Sequence, residues 1–208
     1  MKIRSLIIGA ALIIGTAFIT SHVVSQEAKA PPTLTPEQQK RQQEMEKKWM
    51  EFMTPGEQHQ MLAKRTGHWN FVNKWWMEPG APAQEAAGTC EYSSIFDNRY
   101  TTCHVSSSMD GQPFEGMGCW GYDNLKKKYF FAWIDSMGTG MMVSEGTYDA
   151  KTRTYTYQGD MPNFDTGKYE NAKTVERFES DDKYVMEMWC KKDGKDFKCM
   201  EITYTRAK

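Results

Sequence analysis

The chain has 208 residues, of which 39% are hydrophobic, 25% charged and 13% aromatic, and its formal net charge is -1. That length holds one domain of ordinary size, and the balance is that of a folded soluble protein rather than a disordered one. With no basic excess to neutralise phosphates, nucleic-acid binding is excluded as a leading function.

Lys2 and Arg4 precede an almost unbroken apolar run from Leu6 to Ile19. Ser21, Val23 and Ser25 follow and suit a small-residue cleavage site after Ser25, with Ala30 as the alternative. The run is short for a membrane span, which needs about 20 apolar residues, and no Cys lies near the junction for lipid attachment. Residues 1–25 are therefore expected to be a signal peptide and the mature protein periplasmic or secreted, without an integral membrane span; an uncleaved N-terminal anchor is the competing reading. Residues 26–34 read as a linker.

Thr35-Pro36-Glu37-Gln38 opens a helix: Thr caps, Pro suits the first helical position, and Gln three residues after the cap completes a capping box. The helix carries Met45, Trp49, Met50, Phe52 and Met53 near its end. Thr54-Pro55-Gly56-Glu57 repeats the start signal, and a second short helix is expected to run to about Thr66, with Gly67 ending it. Residues 35–66 thus form a helical lead-in.

From Gly67 the texture changes. Turn signals recur at Pro79-Gly80, Asp97-Asn98, Asp110-Gly111, Asp123-Asn124, Asp135 to Gly138, Asp149-Ala150, Asp165-Thr166-Gly167, Asp181-Asp182 and Asp193-Gly194. Asp, Asn and Gly tolerate the left-handed backbone that such turns need. Nine turns divide residues 67–207 into ten strands. Trp69, Phe71, Trp75 and Met77 share one face of the first; Tyr129, Phe131 and Trp133 share one face of the fifth, while Phe130, Ala132 and Ile134 fill the other. An open sheet of ten strands would leave two aggregation-prone edges, and closure removes both. The expected fold is all-β: a ten-stranded antiparallel up-and-down β-barrel preceded by one or two short α-helices. Such a barrel is wide enough for an internal cavity.

The motifs Gly67-x-Trp69, Pro79-Gly80-x-Pro82, Gly116-x-Gly118-x-x-Gly121-Tyr122-Asp123, Trp133-x-Asp135-Ser136-Met137-x-Thr139-Gly140, Glu145-Gly146-x-Tyr148-Asp149, Asp165-x-Gly167-Lys168 and Tyr204-Thr205-Arg206, with Pro55-Gly56-x-x-His59 upstream, carry a resemblance. Over roughly residues 54–206 the chain resembles the exported bacterial proteins grouped as domain of unknown function 1579. The resemblance implies a calycin-like, lipocalin-like barrel and no established reaction. One departure is visible: Asp97-Asn98-Arg99 stands where the family tends to have Gly-Gly-Arg.

Several groups of residues are candidates for a ligand site. In the strand Phe114 to Asp123, three glycines accompany Glu115, Trp120 and Tyr122; Gly in a strand marks a bend, a large neighbour packed over the missing side chain, or a ligand lying close. Packing is the more economical of these. After Trp133, itself a candidate, Asp135, Ser136 and Thr139 would line a barrel mouth or, the reading favoured here, bond their own turn. Glu91, Arg99, Glu115, Glu145, Glu187 and Arg206 stand in or beside otherwise neutral strands. If inward, they must pair, and an Arg–Glu set would then recognise a carboxylate or phosphate; solvent-facing charge is the simpler alternative. A four-residue loop over Asp110 to Pro113 would place His104 opposite Cys119, a pair able to hold metal or heme.

Met is abundant at 15, but Met141-Met142 and Met186-x-Met188 have ordinary strand-core spacing, so copper is not favoured. No His or Cys spacing names a metal, and the cofactor is left unknown. Cys90 with Cys103, and Cys190 with Cys199, flank hairpin turns and fall diagonally rather than opposite, so each disulfide would need a bulge. The reading that best unites these features is a barrel that binds a small apolar or amphipathic ligand. The alternatives are an enzyme using Glu115, Asp135, Glu145 and His104 as acid–base groups, for which no nucleophile–base motif is present, a heme or metal protein, and an interaction protein docking through its helical lead-in. Oligomeric state is not legible.

Overall fold

A computed structural model describes residues 34–109 and 111–208. The segment read as a signal peptide and all but the last residue of the linker lie outside them. The first helix, α1 (Pro36–Met53), starts as its sequence dictates: Gln38 N–H donates to Thr35 Oγ1 at 3.3 Å, and Thr35 N–H donates to Gln38 Oε1 at 2.8 Å. None of its residues is buried. Thr54 does not cap the next helix; its hydroxyl donates back to the Met50 carbonyl at 2.6 Å. Gly56 caps α2 (Glu57–Ala63) instead, donating its N–H to His59 Nδ1 at 3.0 Å. The helix ends at Ala63, three residues before Thr66, and a tighter turn follows in which the Arg65 and Thr66 N–H groups donate to the Leu62 and Ala63 carbonyls, each at 3.1 Å.

The ten strands are β1 (Gly67–Trp75), β2 (Gln84–Ile95), β3 (Tyr100–Met109), β4 (Gln112–Asp123), β5 (Lys128–Asp135), β6 (Met142–Asp149), β7 (Thr154–Asn163), β8 (Lys168–Ser180), β9 (Lys183–Lys192) and β10 (Lys195–Arg206). Each pairs antiparallel with its sequence neighbours, and β1 pairs with β10, closing the barrel. Among the described residues, every turn signal read from the sequence falls at the junction of two consecutive strands. The Asp97-Asn98 turn keeps its shape without Gly: Phe96, Asp97 and Asn98 all take φ between 51° and 64°, and Ser94 Oγ donates to Asn98 Oδ1 at 2.6 Å.

Alternation works as the pleat requires. Trp69 and Phe71 point inward on β1, as do Tyr129 and Phe131 on β5. The second apolar face of β5 is not covered by a helix: Ile134 stays exposed and Phe130 half-buried. The β3–β4 register corrects one expectation. Met109 pairs with Gln112, so the hairpin is two residues tighter than a loop from Asp110 to Pro113. His104 then faces Met117, and Cys119 faces Thr102, so the proposed Cys–His pair does not form. Cys190 and Cys199 are joined at 2.02 Å, and the register between β9 and β10 shifts across Lys198 and Met200, leaving Cys199 as the bulged residue. Cys90 and Cys103 carry free buried thiols, lying diagonally across the ladder opposite Val105 and Tyr92.

His59 gives this fold a pH dependence. The ring is buried, its Nδ1 is occupied as an acceptor, and burial lowers its pKa below the ordinary value; a bond to the Tyr122 backbone opposes this shift, and the Arg99 cation adds to it. The folded chain therefore holds a neutral imidazole where the unfolded chain, with a His pKa of about 6.5, takes up a proton. This contribution to stability is complete above the unfolded value and is lost as pH falls below it. Urea midpoints are expected to drop between pH 7.5 and 5.5, and H59Q to flatten that part of the slope.

Candidate functional site

The barrel interior has two halves. Around α2 it is filled. Trp69 anchors the lead-in to the barrel by donating its Nε1–H to the Arg65 carbonyl at 2.8 Å. The Arg65 side chain enters the barrel and meets Glu176 of β8, Nη2 to Oε2 at 2.6 Å, with both side chains 1% exposed. Its guanidinium carbon lies 5.0 Å from the ring centroids of Tyr155 and Phe178, 5.5 Å from Trp120 and 5.8 Å from Tyr184. Aromatic faces thus take the place of water around the cation. Burial works against the charge, but Glu176 outweighs it and the Arg65 pKa rises. Tyr92 and Tyr184 hydroxyls meet at 2.6 Å beside this pair, and Tyr184 stacks on Tyr204 at 4.4 Å. Burial raises the pKa of each floor tyrosine, Tyr155 to about 12, so all stay neutral. A hydrogen bond with Cys90, followed by burial, pushes the Cys103 thiol far above its ordinary pKa.

Toward the opposite end, where the β1–β2, β3–β4, β5–β6, β7–β8 and β9–β10 connections lie, the interior is open. A cavity of about 640 Å³ is lined by Phe71, Phe114, Phe131, Trp133 and aliphatic side chains, with eight methionines among them. This volume falls within the range of small-molecule sites, roughly 300–1,000 Å³. Trp120 and Phe131 border the filled half, while Met137 to Met141 and Phe164 stand at the mouth. Among the described residues, Asp135 is the one formal charge on the lining.

The sequence-derived candidates are dispersed. Trp120, Trp133, Asp135 and Thr139 lie on the cavity. Asp135 spends its oxygens on its own surroundings: Oδ2 accepts from Trp133 Nε1 at 2.8 Å, and Oδ1 accepts from the N–H groups of Met137 and Gly138 at 2.9 and 3.1 Å. Tyr122 sits at the filled end, edge-on to His59. His104 and Glu115 form an outward pair at 3.3 Å, and Glu145 is held outside by Lys126 and Lys128.

Arg99 and Arg206 do not enter the barrel. Arg99 reaches the carbonyls of Phe96 and Met53 from a turn, each at 3.0 Å. Arg206 lies over Trp69 at 4.4 Å and binds Asp182 and the carbonyls of Thr66 and Lys64. An inward Arg–Glu pair does exist, but Arg65 and Glu176 make it, and sequence reading missed both. Nor are the strand glycines a ligand strip: a Cβ on Gly116 would strike the Trp133 indole, one on Gly118 the Trp120 indole and one on Gly121 the Phe130 ring. They leave room for large aromatic neighbours.

Among the described residues, no three His, Cys, Asp or Glu side chains gather into a group able to hold a metal, and no helix is long and apolar enough to cross a membrane.

A family model described as "Protein of unknown function (DUF1579)" matches residues 54–206. No curated protein matches the chain. Among solved structures, the crystal structure of Rv2717c from M. tuberculosis is similar with a TM-score of 0.55 at 12% identity, over 74% of this chain and 100% of that one. At that identity the likeness shows the fold alone.

Proposed function

This chain belongs to the DUF1579 family, which carries no assigned reaction, and from that premise we propose that it is an exported protein that binds a small apolar or amphipathic molecule inside its barrel. The observation that carries the reading is the cavity of about 640 Å³, walled by aromatic and methionine side chains. Burying an apolar ligand there gains roughly 25 cal/mol per Å² of surface removed from water. Methionine, unbranched and polarizable, lets such walls adapt to more than one ligand shape. The filled end beneath Trp120 acts as a floor, so a ligand reaches the cavity through the Met137 to Met141 end.

Export is supported by the charged-then-apolar N-terminal sequence and by the Cys190–Cys199 bond, which suits an oxidising compartment.

The test is titration with N-phenyl-1-naphthylamine, a neutral apolar fluorophore, exciting the tryptophans. One-to-one saturable binding in the micromolar range, with energy transfer from Trp133 and Trp120, is expected. Fluorescence that rises linearly without saturation would overturn the reading.

A further inference from the structure

We propose that the cavity selects neutral apolar molecules bearing a single hydroxyl or carboxamide group, and that Asn73 is the side chain that reads that group. The proposal rests on the binding reading above and narrows its ligand class.

Asn73 lies on β1 between Ala86 of β2 and Ile202 of β10 and faces the cavity. It is 9% exposed, and its Oδ1 is buried with no hydrogen-bond partner. A polar atom left so carries an uncompensated desolvation penalty unless something pairs with it. Two other polar side chains on the lining are already committed. Asp135 accepts three bonds from its own strand and turn, and Ser107 Oγ donates to the Ala87 carbonyl at 2.8 Å. Among the described residues, Trp120 Nε1, where the cavity meets its floor, is the other unpaired buried polar atom on the lining, and it is a donor. An amide that both donates and accepts, with an indole N–H deeper in, suits a group that also does both.

An anionic ligand meets the opposite situation. Among the described residues no Lys, Arg or His lines the cavity to offset the desolvation of a carboxylate or phosphate. Arg65 lies beyond Trp120 and is already neutralised by Glu176. Asp135, at the mouth, adds like charge.

Three matched probes displacing N-phenyl-1-naphthylamine from the full-length mature protein test this: 2-naphthol, naphthalene and 2-naphthoate. Wild type is expected to bind 2-naphthol at least about tenfold more tightly than 2-naphthoate at pH 7, a ratio equivalent to 1.4 kcal/mol. N73L is expected to weaken 2-naphthol by about five- to tenfold and leave naphthalene unchanged or tighter, as loss of one hydrogen bond requires. The wild-type comparison stands whether or not the variant folds. Equal binding of 2-naphthoate and 2-naphthol would overturn the ligand class, and equal weakening of 2-naphthol and naphthalene in N73L would overturn the role of Asn73. Either result would leave the binding cavity intact, whereas failure of the fluorophore itself to bind would remove both the cavity reading and this one.

Discussion

Replacing Arg65 by Met is expected to destabilise the protein by about 3–5 kcal/mol, read as a shift in the guanidinium midpoint at constant slope. The cost comes less from the lost attraction than from what remains. Glu176 is 1% exposed and takes its one side-chain hydrogen bond from Arg65 Nη2, so the variant leaves an unpaired buried carboxylate in a floor of rings. The double variant R65M/E176L should recover most of the loss. Met and Leu fill similar space among Tyr155, Phe178 and Tyr184, and an apolar replacement of a buried pair is commonly neutral or better. The double variant removes both charges and both penalties together, so the strong non-additivity is the signature. A loss below about 1 kcal/mol in R65M would show that water reaches Glu176 and that the floor is not closed.

The same pair shows where the sequence stops being legible. Turns are written locally: an Asp or Asn followed by a residue tolerant of positive φ punctuates the chain at every hairpin, and closure follows from the cost of free edges. The strand count and the barrel could therefore be read directly. Facing was harder. On β8 the run Ala172 to Phe178 alternates Ala, Thr, Glu and Phe against Lys, Val and Arg, and the presence of two cations on the second set marks it as the outer face. That parity points Glu176 inward, but no local feature says that Arg65, three residues after Leu62 at the foot of a helix, crosses into the barrel to meet it.

Register was harder still. The tighter β3–β4 turn moved His104 two residues along the partner strand, from Cys119 to Met117, and with it went the one metal-like pair the sequence offered. Of the cavity, the aromatic walls at Trp120 and Trp133 and the mouth at Thr139 were visible as patterned strands and a polar turn. Asn73 was not, because one of two amides within Trp69 to Trp75 looks like any polar position of a half-buried strand until its partner is sought and found missing.

The largest functional effect is expected from A86W. Ala86 lies opposite Asn73 across the β1–β2 ladder, and its methyl faces the cavity. An indole at this position has space to occupy, because the volume beside it is open rather than close-packed; the usual penalty of about 1–3 kcal/mol for overfilling a core does not arise. Burial of the added apolar surface at roughly 25 cal/mol per Å² should leave the denaturation midpoint equal to wild type or higher. The same indole takes the place a ligand would hold and covers Asn73. Affinity for N-phenyl-1-naphthylamine should therefore fall by about fiftyfold or more, a change of more than 2 kcal/mol. Val143→Trp serves as the control: Val143 is exposed on the outer face of β6, where an added ring leaves the interior untouched, and its affinity should match wild type. Loss of stability and affinity together in A86W would mean that the cavity collapses in solution. Full affinity in A86W combined with loss in V143W would move the binding site to the outer apolar face formed by Met117, Ile134 and Val143.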